Sequence, residues 1–433
     1  MSTFLLAATP IHGHVGPVLE IAAYLHERGH DVTLLTGTRF RDTVEGRGVR
    51  FAPLSGKADF DDRDADSYIP DRLRYRGIRR AQYEIRTIFF EPVPDQFSAL
   101  KQQISLLQPD AVLVDNTFAG ALPFTRAAQS TAPGEGFQPV IAGLGVMPLS
   151  QSDDGLAPHG MGLPPARTAV DRLRYRVLGV IAKQVVFRSV QRAAERALAL
   201  VGMRLDRPAM DVARQFDVFF QTGPRGLDYP RPELSRNVLY TGVLPQAPTT
   251  RELPEWWDDL DGRRVVHVTQ GTIDNANFDR LVRPTIDALA GDDVLVVVSA
   301  GGSPISALGP LPANVRAASY LSYDALLPNT DVMVTNGGYG GVLAAISHGV
   351  PLVVAGVTED KPEVAARVAW AGAGIDLRDG TPAPVTVRDA VMRVLDEPAY
   401  RAAAGGLAEE AANRDPLAQI EHELQVRVAA RAQ

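Results

Sequence analysis

Apolar residues occur along the chain both in short unbroken runs and in stretches with helical spacing. Residues 3–9 form a run that ends at Pro10, which predicts a buried strand. From Val15 apolar residues recur at helical spacing as far as Gly29, and a second run follows at 31–36. This order predicts a right-handed β-α-β unit with parallel strands.

The same alternation continues through the rest of the chain. Further buried strands are predicted at 109–118, 139–144, 218–223, 264–269, 293–299, 331–335 and 351–355. We expect an Ala-rich helix after the strand at 109–118, and helices throughout 386–431. The pattern indicates an α/β protein with two Rossmann-like, doubly wound parallel sheets and C-terminal helices.

A proline-rich stretch with little periodicity, 224–254, is the predicted linker between the two domains. It separates an N-terminal domain over 1–223 from a C-terminal domain over 255–415. A final helix over 416–433 is expected to pack back on the N-terminal domain. Because ligands bind at the carboxyl ends of parallel strands, two such domains should face each other across a binding cleft.

Two stretches are less regular. Residues 56–90 are rich in charge and indicate either a solvated loop and helix face or a mobile flap over a substrate. Residues 168–203 predict one or two long amphipathic helices in which arginines alternate with Leu, Val and Ile. We expect that apolar stripe to face the core rather than a membrane surface.

Composition narrows the class of protein. The 433 residues include no cysteine, which excludes disulfides, thiolate catalysis and thiolate zinc sites. The net charge of −7 argues against a nucleic-acid partner. No apolar run approaches the roughly 20 residues of a membrane span, and the first residues lack the basic start of a signal peptide. We expect a cytoplasmic monomer or homodimer without stable membrane insertion.

Two histidines, His12 and His14, flank a glycine where the first strand turns into a helix. A neutral imidazole at that strand end can remove a proton from a substrate hydroxyl. Asp115, after a later strand of the same domain, can orient such a ring and stabilise its protonated form. From the residues alone, either histidine can be structural, and Asp115 can instead cap a helix that begins near Thr117.

The segment Asn-Gly-Gly-Tyr-Gly-Gly (336–341) stands between a predicted strand and helix. So many glycines weaken a helix start, unless a ligand must approach the backbone closely. Main-chain N–H groups and the helix dipole together favour a diphosphate there. The spacing matches neither the Walker A motif nor the dinucleotide-binding glycine pattern.

The chain resembles GT-B-fold glycosyltransferases that use nucleotide sugars. The resemblance lies in the order and spacing of three segments: "HGHVGP", "VLVDNTF" and the block from Tyr320 to Lys361. That family includes UDP-glycosyltransferases and the macrolide and antibiotic glycosyltransferases. The resemblance implies that His14, rather than His12, is the general base and that Asp115 is its partner. It also implies a set of donor-binding residues: Thr272, Tyr320 (stacking on the base), Leu321, Asn336, Gly337, Gly338, Tyr339, Gly340, Gly341, Asp360 and Lys361.

The chain departs from the family pattern at three positions. Asn336 replaces a diphosphate-binding histidine, and Lys361 replaces a glutamine that contacts the sugar. Ala344 stands where relatives that use UDP carry a glutamate on the ribose hydroxyls. A small residue at this position is typical of relatives that use dTDP-deoxysugars, so dTDP-sugars are expected over UDP-sugars.

The resemblance implies an inverting glycosyltransferase that acts on a hydroxyl of a small lipophilic natural product. No metal or other cofactor is expected, because no Asp-x-Asp cluster lies near the diphosphate loop and a helix N-terminus can stabilise the anion. The alternatives are a UDP-glucose-dependent enzyme of phenolic or macrolide acceptors, a nucleotide-sugar epimerase, and a non-catalytic activator protein of the same fold.

Overall fold

The computed structural model describes residues 1–129, 138–246, 252–271 and 277–431. Over these residues the chain forms two parallel sheets, of seven and six strands. The first comprises β1 (Thr3–Ala7), β2 (Asp31–Thr36), β3 (Arg50–Pro53), β4 (Ala111–Asp115), β5 (Val140–Gly145), β6 (Val218–Thr222) and β7 (Val238–Gly242). The second comprises β8 (Val265–Thr269), β9 (Leu295–Ser299), β10 (Val315–Ala318), β11 (Val332–Thr335), β12 (Leu352–Val354) and β13 (Gly374–Asp376).

Helices cover both faces of each sheet. The N-terminal half holds α1 (His12–Glu27), α2 (Arg41–Glu45), α3 (Ala65–Tyr68), α4 (Gly77–Ile85), α5 (Val93–Leu107), α6 (Arg126–Gln129), α7 (Ala169–Ile181) and α8 (Arg188–Leu200). The C-terminal half holds α9 (Val282–Leu289), α10 (Tyr323–Leu326), α11 (Tyr339–Ser347), α12 (Lys361–Trp370), α13 (Pro384–Asp396), α14 (Pro398–Ala412) and α15 (Pro416–Arg431). Within the described residues, no helix is both long and apolar enough to cross a bilayer.

The strand order places the first strand of each sheet near its middle. It is β3-β2-β1-β4-β5-β6-β7 in the first sheet and β10-β9-β8-β11-β12-β13 in the second. In the first sheet α5 and α8 pack on one face, and α1, α2 and α15 pack on the other. In the second, α9 and α13 cover one face, and α11, α12 and α14 cover the other. Burial on both faces explains why the central strands are apolar runs without alternation, and it confirms the predicted pair of doubly wound domains.

Part of the predicted linker belongs to the first sheet. β7 falls inside 224–254, the stretch assigned to the linker, and pairs with β6 as an edge strand of the first sheet. Prolines lie before and after this strand but not within it. The proline-rich composition of the stretch therefore gave no indication of a strand. The last helix, α15, lies against the N-terminal domain, where Glu421 accepts hydrogen bonds from Tyr24 and His30.

The amphipathic stretch 168–203 forms α7, a π-helical turn (Ala182–Val186) and α8. Its apolar stripe faces the core only in α8, where Val190 and Ala194 are buried. In α7, which is described throughout, Tyr175 is the one buried residue, Leu178 is half-buried, and the other aliphatic side chains are exposed to solvent. The expectation that the stripe packs on the core is therefore wrong for α7.

Candidate active site

The carboxyl ends of β1 and β4 bring His14 and Asp115 together. His14 lies in the first turn of α1, and 10% of its side chain is exposed. Asp115 is the last residue of β4 and is fully buried. The His14 Nδ1 and Asp115 Oδ1 atoms are 2.9 Å apart. Since an ionised carboxylate can only accept, Nδ1 donates to it and Nε2 remains to take a proton from a substrate.

Two threonines that the sequence analysis did not single out hold the Asp115 carboxylate. Thr117 donates to Oδ1 from its main-chain N–H and from its hydroxyl, and this hydroxyl lies 3.1 Å from His14 Nδ1. Thr9 donates its main-chain N–H to Oδ2 at 2.7 Å. The signal in the sequence is a threonine two residues after a strand-end aspartate, a spacing at which short polar side chains and main-chain groups bond locally.

These contacts replace the helix-capping interpretation of Asp115. A 3₁₀ helix (Ala119–Phe124), which contains Pro123, and the short α6 stand where an Ala-rich helix was expected. Burial works to raise the pKa of Asp115. The His14 ring and the hydrogen bonds from His14, Thr117 and Thr9 outweigh it and hold the pKa below its usual value. An ionised Asp115 is suited to stabilise a protonated imidazole.

His12 has different surroundings from His14. Its side chain is exposed, and its main-chain N–H donates to Asp62 Oδ2 at 2.7 Å. Asp62 also pairs with Arg39. The acidic part of the 56–90 stretch therefore lies against the start of α1, and His14 is the histidine that meets Asp115.

The turn between β11 and α11 requires glycine at its second position. Gly337 has φ of +89°, a backbone conformation that favours glycine. A Cβ atom there would come within 2.7 Å of Val354 Cγ1 on the neighbouring strand. This turn connects the end of β11 to the start of α11.

The first turn of α11 offers main-chain N–H groups to an anion. The N–H of Val342 bonds to Gly338 O, so the N–H groups before it have no acceptor within the helix. A Cβ atom on Gly338 or Gly340 would meet no other atom within 4 Å, and one on Gly341 would make ordinary contacts only. A diphosphate can therefore approach this backbone closely.

Two side chains of the same block make contacts within the protein. Asn336 Nδ2 donates to the main-chain oxygen of Gln270 at 2.6 Å, which joins the loop after β11 to the loop after β8. The Tyr339 hydroxyl donates to Thr222 O at 2.7 Å, which joins α11 to the end of β6 in the other domain. In this structure both groups position the glycine block.

Asp360 and Lys361 lie at the start of α12, after the loop that follows β12. Lys361 Nζ forms an ion pair with Glu359, and the stem of the lysine packs against Gly356. Burial and the Glu359 charge raise the pKa of Asp360 to about 6, while Lys361 and His14 act in the opposite direction.

The remaining predicted donor residues are distributed around the second sheet. Tyr320 follows β10, is 43% exposed and packs against Gly302, where it leaves no room for a side chain. Leu321 is partly buried against the apolar cluster around Leu326. Ala344 is 3% exposed within the apolar cluster beneath α11. Thr272 lies outside the described residues.

A buried ion-pair network that the sequence analysis missed joins the two domains beside the cleft. Glu363 Oε1 accepts hydrogen bonds from the main-chain N–H groups of Gly160 and Gly162, at 2.8 and 2.9 Å. Arg367 pairs with Glu363 at 2.6 Å and with Asp228 at 2.8 Å. The loop between β5 and α7 is thereby held against α12, next to the predicted sugar-binding residues.

Relatives of known name match nearly the whole chain. Residues 283–425 match the family model "Erythromycin biosynthesis protein CIII-like, C-terminal domain". The chain is 40% identical to 4'-demethylrebeccamycin synthase of Lentzea aerocolonigenes, over 95% of this chain and 96% of that protein. It is 34% identical to UDP-glycosyltransferase 2 of Phaeomoniella chlamydospora, over 96% and 93% of the two chains.

Solved structures of similar fold belong to glycosyltransferases. The calicheamicin glycosyltransferase CalG4 matches with a TM-score of 0.72 at 20% identity. The match covers 99% of this chain and 98% of that chain. The glycosyltransferase VinC in complex with dTDP has a TM-score of 0.67 at 20% identity, over 99% and 100% of the two chains. At these identities the structures support the fold, and the close relatives carry the family assignment. The chain is a glycosyltransferase and belongs to the GT-B-fold, nucleotide-sugar-dependent family that includes the UDP-glycosyltransferases and the macrolide and antibiotic glycosyltransferases.

Proposed function

We propose that this enzyme transfers a sugar from a nucleoside-diphosphate sugar to a hydroxyl of a small lipophilic natural product, with inversion at the anomeric carbon. The observation that carries the proposal is His14, held through Nδ1 by a buried Asp115. The names of the relatives, which refer to rebeccamycin and erythromycin biosynthesis, support a natural-product acceptor. We place the reaction in the cytoplasm, as expected for a chain without cysteine.

In the proposed reaction His14 Nε2 removes the proton of the acceptor hydroxyl. The acceptor oxygen attacks the anomeric carbon from the side opposite the diphosphate, and the bond from that carbon to the diphosphate oxygen breaks. The diphosphate leaves with the electron pair, and the main-chain N–H groups at the start of α11 stabilise its charge. Asp115 stabilises the imidazolium, and attack from the opposite side accounts for inversion.

The proposed reaction needs no metal ion, because the α11 N-terminus supplies donors to the leaving diphosphate. Removal of divalent ions with EDTA should therefore leave the rate of transfer unchanged. A rate that falls with EDTA and returns with Mg²⁺ would contradict this part of the proposal.

For the donor we propose a preference for dTDP over UDP, because Ala344 offers no hydrogen-bond partner to a ribose 2′-hydroxyl. Ala344 lies in an apolar cluster, so the preference should be modest. UDP is the second candidate, since relatives at least 31% identical to this chain are named UDP-glucosyltransferases or UDP-glycosyltransferases. Isothermal titration of the wild-type protein with both nucleotides decides between them, and tighter binding of UDP would overturn the preference.

Incubation with dTDP- and UDP-sugars in the absence of acceptor tests the reaction class. A glycosyltransferase should slowly hydrolyse its donor and release nucleoside diphosphate. A nucleotide-sugar epimerase would instead convert the donor into an isomeric nucleotide sugar. A non-catalytic activator protein would leave every donor unchanged.

A further inference from the structure

α7 exposes an aliphatic surface that the fold leaves without a partner. Five residues on one side of the helix, which together we call the α7 face, are exposed to solvent: Val170 (75%), Leu173 (63%), Val177 (51%), Val180 (56%) and Ile181 (45%). At 100° per residue they span about 100° of the circumference, the width of a stripe that normally packs on a core. Tyr175, on the opposite side, is buried and donates its hydroxyl to Pro164 O.

Positive charge flanks this face on both sides. Arg172 and Arg176 lie along one edge, Arg174 lies along the other, and all three are exposed. Arg176 pairs with Asp154. The acidic residue within α7, Asp171, is turned to the start of the helix, where it forms a capping box with Thr168. The face is therefore apolar with basic margins on a chain whose net charge is −7.

The neighbouring segment has the same character. In the stretch before and within α4, Leu73 is 73% and Ile78 is 55% exposed, next to the exposed Arg76 and Arg79. Gln82 of α4 donates to the main-chain oxygen of Val186, at the end of the π-helical turn that follows α7. The two basic, apolar segments are thus joined.

We propose that the α7 face docks reversibly on an anionic lipid surface, with the aliphatic side chains among the acyl chains and the arginines at the headgroups. An exposed aliphatic stripe bordered by arginine is the pattern of helices that lie in a bilayer interface. Anionic lipid also complements the arginines, while the acidic remainder of the chain is repelled from it. The charge distribution therefore favours the orientation in which the α7 face contacts the membrane.

A second copy of the chain is a poorer occupant of this surface. In a two-fold symmetric contact the same patch meets itself, which places the arginines of one copy near those of the other. The face also carries aliphatic residues and no tryptophan or tyrosine, the residues that anchor most protein interfaces. Lipid requires neither self-complementarity nor a fitted pocket.

The position of the face gives docking a consequence for catalysis, and this step rests on the proposed function. α4 continues into the π-helical turn Arg86–Phe90, whose Phe89 ring stacks 6.3 Å from the His14 ring. The chain therefore runs from a segment joined to the α7 face directly to the proposed base. Docking of the α7 face would therefore place the lipid surface beside the segment that leads to the proposed base.

Co-sedimentation with vesicles tests the docking without substrate, so its outcome is independent of the proposed reaction. The wild-type protein should bind vesicles of phosphatidylcholine mixed with phosphatidylglycerol, less so as salt is raised, and should not bind phosphatidylcholine alone. Leu173→Ser combined with Val177→Ser should lower the bound fraction about tenfold or more, since both side chains lose burial in lipid. Arg172→Gln combined with Arg174→Gln should weaken binding to the anionic vesicles.

Leu106→Ser on α5 and Val385→Ser on α13 are matched controls, because these side chains are 72% and 64% exposed elsewhere. Both should bind vesicles as the wild type does. The proposal is overturned by wild-type protein that does not sediment with anionic vesicles, or by equal binding of the α7 double variant. The proposal is also overturned if the wild-type protein does not bind vesicles and Leu173→Ser combined with Val177→Ser abolishes its self-association or its capture of an acidic protein.

Discussion

The two halves of the cleft are built in different ways. On the N-terminal side the proposed chemistry depends on side chains in fixed hydrogen bonds, His14 on Asp115 and Asp115 on Thr117 and Thr9. On the C-terminal side the groups proposed to bind the donor are main-chain N–H groups at the start of α11. The side chains of that block are bound within the protein, as Asn336 is to Gln270 O.

The difference follows from what each half must do. Proton transfer requires one nitrogen at one position, which a side chain held by a buried carboxylate supplies. A diphosphate is large and charged, and several main-chain N–H groups can share it without a particular side chain. This explains how Asn336 can replace the histidine of the family pattern, and it predicts that side-chain substitutions will be costly in the N-terminal half and mild in the C-terminal half.

The largest effect is expected from His14→Ala. Loss of the general base should lower kcat by roughly 10²–10⁴-fold. Nucleotide affinity should not change, because the proposed diphosphate site lies in the other domain. Steady-state kinetics with titration calorimetry on the same preparation measures both quantities. His12→Ala is the matched control and should cost little, and the reverse ranking would assign the base to His12.

The second largest effect is expected from Asp115→Asn. An amide cannot stabilise the imidazolium as a carboxylate does, so kcat should fall by about 10²-fold or more. From the contacts of Asp115 we also expect this variant to be less stable than the wild type. Asp115 accepts from Thr9, Thr117 and His14 at once, and an Asn NH₂ group must oppose one of these donors, at about 1–3 kcal/mol.

Asp110→Asn is the control for that variant. Asp110 stands just before β4 and accepts one main-chain bond, from Thr3 N–H at 2.8 Å, at the end of the strand away from the cleft. It should lose some stability and keep kcat. Normal turnover per folded molecule in Asp115→Asn would reduce Asp115 to a structural role.

The sequence predicts the parts of this fold that are buried on both sides. The predicted strands are the central ones, where apolar residues run without a break. The four strands that the sequence pattern does not predict are the edge strands of the two sheets, β3, β7, β10 and β13. β3, β10 and β13 are only partly buried and so lack apolar runs, and prolines surround β7.

For the site, the sequence predicts which residues follow which strand, because that depends on local order along the chain. His14 and Asp115 meet for this reason. The contacts of Asn336 with Gln270 and of Tyr339 with Thr222 depend on side-chain orientation and on how the domains meet, which no local pattern encodes. The pattern of α7 likewise predicts an apolar stripe but does not tell which way the stripe faces.

A smaller effect is expected from protonation of the Asp360 carboxylate. As an ionised group it accepts stronger hydrogen bonds from sugar hydroxyls than a neutral carboxyl does. Since its pKa is raised to about 6, the carboxylate is lost as pH falls through that value, and the donor KM should then rise about fivefold. Asp360→Asn should flatten this dependence of KM on pH.

The stability of the unliganded protein should change with pH in the opposite sense. A raised pKa means that the fold favours the protonated carboxyl, so its contribution is present below the usual value of 3.8 and is lost as pH rises through about 6. Asp376→Asn is the control, because burial also raises the pKa of Asp376 but Asp376 is not one of the predicted donor-binding residues. If both variants flatten the KM profile equally, Asp360 has no special role in donor binding.

The smallest effect is expected from Tyr339→Phe, and it decides most directly how the donor half works. The Tyr339 hydroxyl donates to Thr222 O, which also accepts from Gln221 Nε2 at 3.2 Å. Because that carbonyl keeps a donor in the variant, the loss should be about 0.5–1.5 kcal/mol of unfolding free energy. Nucleotide affinity should stay the same if the tyrosine serves only to join the domains. Tyr175→Phe removes a similar bond, to Pro164 O at 2.9 Å, and should cost a similar amount. Calorimetry with dTDP and UDP supplies the second measurement. A tenfold loss of nucleotide affinity in Tyr339→Phe, absent from Tyr175→Phe, would mean that a side chain of the glycine block contacts the donor, and the contrast between the two halves would then fail.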